Sequence, residues 1–305
     1  MAIAETFSYS RVTTVGDFFA LLKPRVMSLV VFTGLAGIIA APGHVHPLTA
    51  FTALLSIALA AGASGALNMA YDSDIDGVMA RTASRPIPMG HVVREDAMAF
   101  GWSIAAFSVA TMWLFVNWLA ASLLAFTVFF YVVVYTLWLK RRTPQNIVIG
   151  GLAGALPPAI GWASVTGNLG LAPLVLVAII FMWTPPHFWA LALWRCGDYA
   201  KAGVPMLPVV KGKTVTRRHI LIYSLILAPL GVAPAFIGLG GMLYLVCSAS
   251  MGFWMLLEAF ATWREKDDVK EPAAKRLFGV SLLYVFVPFA ALIVERLLHL
   301  PPLWT

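Results

Sequence analysis

The chain has 305 residues, of which 60% are hydrophobic and 11% charged, whereas soluble domains are roughly 45 to 50% apolar and about 25% charged. That composition excludes a water-soluble globular protein, and with it the disordered, collagen-like and disulfide-scaffold classes. The apolar content suffices for about nine membrane spans of roughly 20 residues each, and the formal charge of +7 must be located along the chain before it speaks of partners.

The first 24 residues carry acidic side chains and no apolar core, so they resemble neither a cleavable signal peptide nor an Arg-rich transit peptide. Uncharged apolar runs then predict nine helices, at about 27–42, 48–71, 98–117, 119–139, 146–166, 172–194, 220–240, 242–263 and 277–298. The expected fold is all-α and polytopic, with an N-terminal segment 1–26, one transmembrane domain 27–298 and a short tail 299–305. APGHVHP at 41–47, TGNLG at 166–170 and GLGG at 238–241 punctuate the runs. His44 and His46 read as plain loop residues rather than a metal pair. Cys196 and Cys247 lack metal or disulfide spacing and read as small apolar residues.

Of the 21 Lys and Arg residues, all but Arg296 fall on one side of this arrangement. Positive charge is retained in the cytoplasm, which puts the N-terminus inside and the C-terminus outside. The basic balance is thus topogenic, with the lipid bilayer and its anionic headgroups as partners and no need for nucleic acid. Carboxylates are more informative, because they are costly at membrane depth.

After the second span the chain reads Asn68-Met-Ala-Tyr-Asp72-Ser-Asp74-Ile-Asp76-Gly. If the helix continues, Asn68, Asp72 and Asp76 form one stripe with about 40° of drift per step, and Asp74 lies nearly opposite. Such a stripe invites a cation, and magnesium fits because it takes oxygen ligands and completes its shell with waters and substrate phosphates. The same residues imitate the start of a calcium loop, but the twelfth position is Ala83 rather than Glu, which rejects that reading. A solvated acidic patch paired with Arg81 and Arg85 is the bland alternative. Those two arginines, ahead of a Pro-x-Pro turn, also suit diphosphate oxygens.

Farther on, Lys140-Arg-Arg-Thr-Pro-Gln-Asn146 closes the fourth span and opens into Gly150, Gly151 and Gly154, which permit close helix approach or leave room for a flat ligand. The basic run is a stop-transfer feature first and a phosphate contact second. In the sixth span, Trp183-Thr-Pro-Pro-His187-Phe-Trp189 is expected to break the helix ladder at its paired prolines. His187 is then a polar group at depth, either functional or an interhelical hydrogen bond. The span ends in Asp198-Tyr-Ala-Lys201, an acidic motif 126 residues after Asp72 that hints at a distant internal repeat. Glu258 and Glu295 stand near span ends, where snorkelling or local pairing explains them.

In this order and spacing, the Asn68-to-Asp76 stripe, Arg81-Thr-x-x-Arg85-Pro, Lys140-Arg-x-Thr-Pro-x-Asn146, Thr184-Pro-Pro-His187 and Asp198-Tyr-x-x-Ala-Gly-Val-Pro-Met resemble the UbiA superfamily of intramembrane prenyltransferases, and within it the branch that modifies haem. The superfamily's second motif usually has two aspartates four apart. Ala202 stands at the second position here, which favours the haem branch over quinone and chlorophyll branches. The resemblance implies a nine-helix bundle that joins farnesyl diphosphate to haem B, giving haem O and diphosphate, with magnesium as cofactor. It implies Asn68, Asp72, Asp76 and Asp198 as metal ligands, with Asp72, Asp76, Asp198 and Lys140 catalytic, and Arg81, Arg85 and Lys201 on the diphosphate. His187 is the candidate haem contact, and Trp183 and Trp189 are rings that favour a passing allylic cation. The N-terminal segment, unlike a transit peptide, favours a bacterial inner membrane over a mitochondrial one, and downstream partners in haem A or terminal-oxidase assembly are implied by the same resemblance. Another prenyl acceptor, a secondary transporter and an assembly factor are the competing readings.

Overall fold

The computed structural model describes residues 13–304; the expectations resting on Arg11 and the segment around it lie outside the described residues. Within them every regular element is helical. A short helix α1 (Val15–Leu21) meets α2 (Pro24–Ala40) at a 53° bend. Next come α3 (Pro47–Tyr71), α4 (Ser73–Val78), α5 (Arg94–Phe115) and α6 (Trp118–Phe129), which runs on as a π-helix over Phe130–Leu139. The rest is α7 (Asn146–Ala155), α8 (Pro157–Thr166), α9 (Leu171–Trp194), α10 (Cys196–Lys201), α11 (Leu207–Val210), α12 (Lys213–Phe236), α13 (Met242–Trp263) and α14 (Pro272–Leu297).

Among the described residues eight helical stretches are long and apolar enough to cross a membrane, or nine when the bent α1–α2 pair is counted as one span. The first predicted span is therefore the one that the fold alters, since α2 alone has 17 residues and is completed by α1 across Lys23. Proline explains a second break. Pro157 opens α8 at its first turn, where a missing N–H costs nothing, and divides the fifth span in two. The paired prolines of the sixth span behave otherwise, because α9 is continuous through Pro185 and Pro186. Pro185 and Pro186 free the Phe181 and Met182 carbonyls, a loss tolerated in membrane helices that pack against protein, and α9 is held between α7, α12 and α14. The two ladder bonds to those carbonyls are missing, as expected, but the helix itself is not interrupted.

The helices close into a ring: α2 on α3, α3 on α5, α5 on α6, the π-helix on α7, α7 on α9, α9 on α12, α12 on α13, α13 on α14, and α14 back on α2. Small residues let the backbones touch. A Cβ on Gly37 would lie 2.0 Å from the Pro158 carbonyl oxygen, and one on Gly161 would lie 2.1 Å from that of Gly34, so α2 and α8 pack at glycine distance. Gly150 and Gly151 likewise seat the Tyr135 ring and Thr184, whereas a side chain at Gly154 would meet open space.

Charged residues expected in loops extend some helices by one or two turns. α12 begins at Lys213 and buries Arg217, whose Nη2 donates to both Glu271 carboxylate oxygens at 2.8 and 2.9 Å. Glu258 pairs with Arg276 at 3.1 Å. Glu295 is buried and accepts from the Gly241 and Tyr244 amides at 2.7 and 2.8 Å, capping α13. His46 accepts from the Leu48 amide at the start of α3, and both cysteines are free.

Candidate active site

The acidic stripe survives the end of α3 because the helical hydrogen bonds do. The Asp72 amide donates to the Asn68 carbonyl at 3.0 Å and the Asp76 amide to the Asp72 carbonyl at 2.8 Å, which carries the i, i+4, i+8 alignment through α4. Asp72 is fully buried and Asp76 almost so, whereas Asp74 is exposed on the other face.

Each buried carboxylate meets a cation. Lys140, at the end of the π-helix, pairs with Asp72 Oδ2, and Arg85 with Asp76 Oδ2. Asn68 Nδ2 donates to Asp72 Oδ2 at 2.6 Å and to Thr136 Oγ1 at 3.2 Å. The Asn68 Oδ1 accepts from Lys23 Nζ at 2.9 Å. In the sequence Lys23 reads only as a topogenic charge. It holds a left-handed backbone (φ 51°) at the α1–α2 bend, a conformation that non-glycine residues adopt at a cost. The bend lies on α3 where Gly62 and Gly65 leave room, a Cβ there meeting Leu22 at 3.0 Å and the Lys23 stem at 3.4 Å. The available signal is that pair of small residues three apart, one turn before Asn68.

Arg141, which reads in the sequence as part of a stop-transfer run, also belongs to this end of the bundle. Its guanidinium forks onto Asp74 with two bonds of 2.7 Å and reaches within 3.6 Å of Asp72 Oδ1. The fork holds the Asp74 carboxyl below its ordinary value. Asp72 Oδ1 itself is buried with no hydrogen bond.

The second motif faces the first across a small apolar contact in which Ile75 and Met79 meet Tyr199, Val204 and Met206. Burial pushes the Tyr199 phenol up, and the charge of nearby Arg81 opposes it. Asp198 is half-buried and lies 3.5 Å from Arg195, and Lys201 is exposed. The fold thus gathers Asn68, Asp72, Asp76, Lys140 and Arg85, and leaves Arg81, Asp198 and Lys201 outside their hydrogen-bond network. Among the described residues no three His, Cys, Asp or Glu side chains stand together as a ready metal site. The donor set nonetheless fits magnesium. It is built of oxygens, it includes a buried carboxylate oxygen lacking a partner, and magnesium uses one or two carboxylates with substrate phosphates and water. Lys140 and Arg85 pair with the two buried carboxylates, and the basic side chains of Lys23 and Arg141 stand against the same cluster, so basic groups outnumber its buried carboxylates, a balance that suits an anion.

Deeper in the bundle the His187 ring is stacked between Trp183 and Phe278, with ring centroids 4.4 Å away on each side, and its Nδ1 lies 2.7 Å from Ser281 Oγ. Trp183 Nε1 donates to the Ser281 carbonyl at 2.6 Å. His187 is thus an interhelical tie between α9 and α14, with no other hydrogen bond among the described residues. Trp189 points elsewhere: it packs edge-on against His219 and Tyr223 of α12, so it does not join Trp183 around a common space.

A ring of membrane-spanning helices with a polar cluster at one end of its core defines a polytopic membrane protein. The chain belongs to the UbiA prenyltransferase family, whose pattern matches residues 29–285. It is 62% identical over 285 residues to the protoheme IX farnesyltransferase of Parvibaculum lavamentivorans, covering 93% of this chain and 90% of that one. It is 58% identical to the enzyme of the same name from Azorhizobium caulinodans, covering 93% and 92%. Among solved structures, a UbiA homolog from Archaeoglobus fulgidus bound to DMAPP and Mg2+ superposes with a TM-score of 0.69 at 18% identity, over 91% of this chain and 99% of that one. A structure of digeranylgeranylglyceryl phosphate synthase does so with 0.74 at 16% identity, over 92% and 99%. At those identities the structural likeness speaks for the fold.

Proposed function

We propose that the protein transfers the farnesyl group of farnesyl diphosphate to a vinyl group of haem B, giving haem O and diphosphate. The observation that carries the reading is the 62% identity to a protoheme IX farnesyltransferase along nearly the whole chain, supported by the paired carboxylates and cations at the end of α3.

In this reading Asn68, Asp72, Asp76 and Asp198 hold magnesium, which when bound neutralises the diphosphate and favours its departure. Lys140, Arg85 and Lys23 bind the diphosphate oxygens, with Arg81 and Lys201 at the rim, and stabilise the charge that develops as the allylic C–O bond breaks. The apolar core keeps water from the allylic cation until its C1 has bonded to the vinyl carbon. A water oxygen then adds to the neighbouring carbon and releases a proton. His187 orients the haem.

The basic end of the bundle faces the cytoplasm of a bacterium and the C-terminal tail faces the periplasm. Residues 27–298 act as one domain, between segment 1–26 and tail 299–305, and its product goes to haem A or oxidase assembly. The competing transporter reading loses ground because the carboxylates lie at helix ends rather than at mid-span. The test is to incubate purified protein with haem B, farnesyl diphosphate and magnesium and to weigh the porphyrin product. A mass gain of one farnesyl group plus one hydroxyl group relative to haem B is expected; unmodified haem under conditions that release diphosphate would point to another acceptor.

A further inference from the structure

Beside the Asn68–Asp76 cluster, on the face of α4 that carries Asp74, a cavity of about 380 Å³ opens at the basic end of the bundle between the start of α5 and the end of the π-helix. Arg94, Arg141, Asp74, Ser73, Tyr71 and Leu137 line it, and it backs onto Thr136, whose hydroxyl accepts from Asn68. α5 leans on α6 and α3, whereas the π-helix leans on α3 and α7, so the two part at this end and leave the cleft floored by the α3–α4 junction.

The charges in the cleft are unevenly matched. Asp74 is taken by the two-bond fork from Arg141, which neutralises both. Arg94 is exposed and makes no hydrogen bond or ion pair among the described residues. It is the first residue of α5, a 22-residue helix whose N-cap Val93 supplies no side-chain cap, so first-turn amides are free beside the guanidinium. Glu95 and Asp96 come next, at about 100° and 200° around the helix, and do not line the cavity. On the spanning side the lining passes into exposed apolar surface at Leu137, with Trp138 beside it.

We infer that this cleft binds a phosphate anion, and specifically the headgroup of an acidic phospholipid in the leaflet at the basic end. Arg94 and the α5 amides take the phosphate, Ser73 and Tyr71 border it, and an acyl chain runs out over Leu137. Ordinary phosphate shares the anion chemistry but has no use for the apolar exit.

The full chain, purified in micelles, is titrated with phosphatidylglycerol, with phosphatidylcholine and with inorganic phosphate, and retained lipid is read by native mass spectrometry. Phosphatidylglycerol should bind about fivefold more weakly to Arg94→Ala and with intermediate strength to Arg94→Lys. Phosphatidylcholine should bind weakly and equally to all three proteins. Because Arg94 has no intramolecular partner among the described residues, the variants should keep the wild-type circular dichroism and melting temperature. Equal phosphatidylglycerol affinity in wild type and folded Arg94→Ala would overturn the site, and displacement of the lipid by equimolar inorganic phosphate would overturn the lipid as its occupant.

Discussion

Lys23 and Asn68 are 45 residues apart in the chain, and the lysine ammonium donates to the asparagine side-chain oxygen at 2.9 Å. The contact brings the α1–α2 bend to the acidic stripe. In the proposed reaction the same ammonium is free to turn to a diphosphate oxygen. A charge-assisted hydrogen bond contributes about 1.5 to 3 kcal/mol, so Lys23→Met should lower kcat/KM for farnesyl diphosphate by roughly ten- to a hundredfold and leave the haem KM alone. Lys23→Arg should recover part of it. Unchanged kinetics in Lys23→Met would restrict this lysine to a structural role.

Lys140 and Asp72 form a buried pair, and removing one partner of such a pair costs about 3 to 5 kcal/mol because the other charge is stranded. Lys140→Met should therefore melt well below wild type in detergent. The double variant Lys140→Met, Asp72→Leu should regain much of that stability and remain without activity. Double-variant stability no better than the single would show that the two charges are not coupled.

For His187, Phe should be tolerated by the stacking between Trp183 and Phe278 but lose the bond to Ser281. His187→Phe is expected to raise the haem KM several-fold more than that for farnesyl diphosphate. Ser281→Ala separates the two roles of the ring, since it removes the tie and keeps the imidazole. Haem kinetics that change only in Ser281→Ala would assign the ring to packing.

Asp74 is held below its ordinary carboxyl value by the Arg141 fork. A depressed carboxyl contributes stability above its unfolded pKa of about 3.9 and loses it as pH falls through the lower folded value. The melting difference between wild type and Asp74→Asn should accordingly be constant from pH 7 to about pH 5 and shrink on further acidification. The pair is largely exposed, so the difference will be small; a gap that widens in acid would contradict the assignment.

At the α2–α8 contact, Gly37→Ala would place a methyl 2.0 Å from the Pro158 carbonyl oxygen. Overpacking of this kind typically costs about 1 to 3 kcal/mol. Gly154→Ala, with no atom within 4 Å of the added carbon, is the control. Equal melting temperatures for the two variants would mean that α2 and α8 separate freely.

Much of the fold is legible in the chain. Apolar runs locate the spans because burial in lipid demands them, and the four-residue spacing of Asn68, Asp72 and Asp76 becomes one buried stripe. The pairing of Asp72 with Lys140 crosses 68 residues and has no local signature, so only family resemblance points to the lysine's role. Charged residues within a helix defeat a scan for uncharged runs, which is why Arg217 reads as a loop residue and yet is buried on α12. Proline misleads in the opposite direction. The same dipeptide ends α7 at Pro157-Pro158 and passes unbroken through α9 at Pro185-Pro186, a difference set by neighbouring helices and not by the two residues.

The π-helix between Phe130 and Leu139 sets the phase of the residues beyond it. Its wider turn is visible in the bonds from the Lys140 amide to the Tyr135 carbonyl and from the Thr136 hydroxyl to the Tyr131 carbonyl, each spanning five residues. An inserted residue in such a turn rotates the downstream helix by roughly 100° relative to an ordinary α-helix. Thr136 and Lys140 are aimed at Asn68 and Asp72 from that shifted phase. Deleting one residue from this stretch would keep the span long enough to cross the bilayer yet swing the lysine off its carboxylate, so the length of the turn serves as an angular setting for the site.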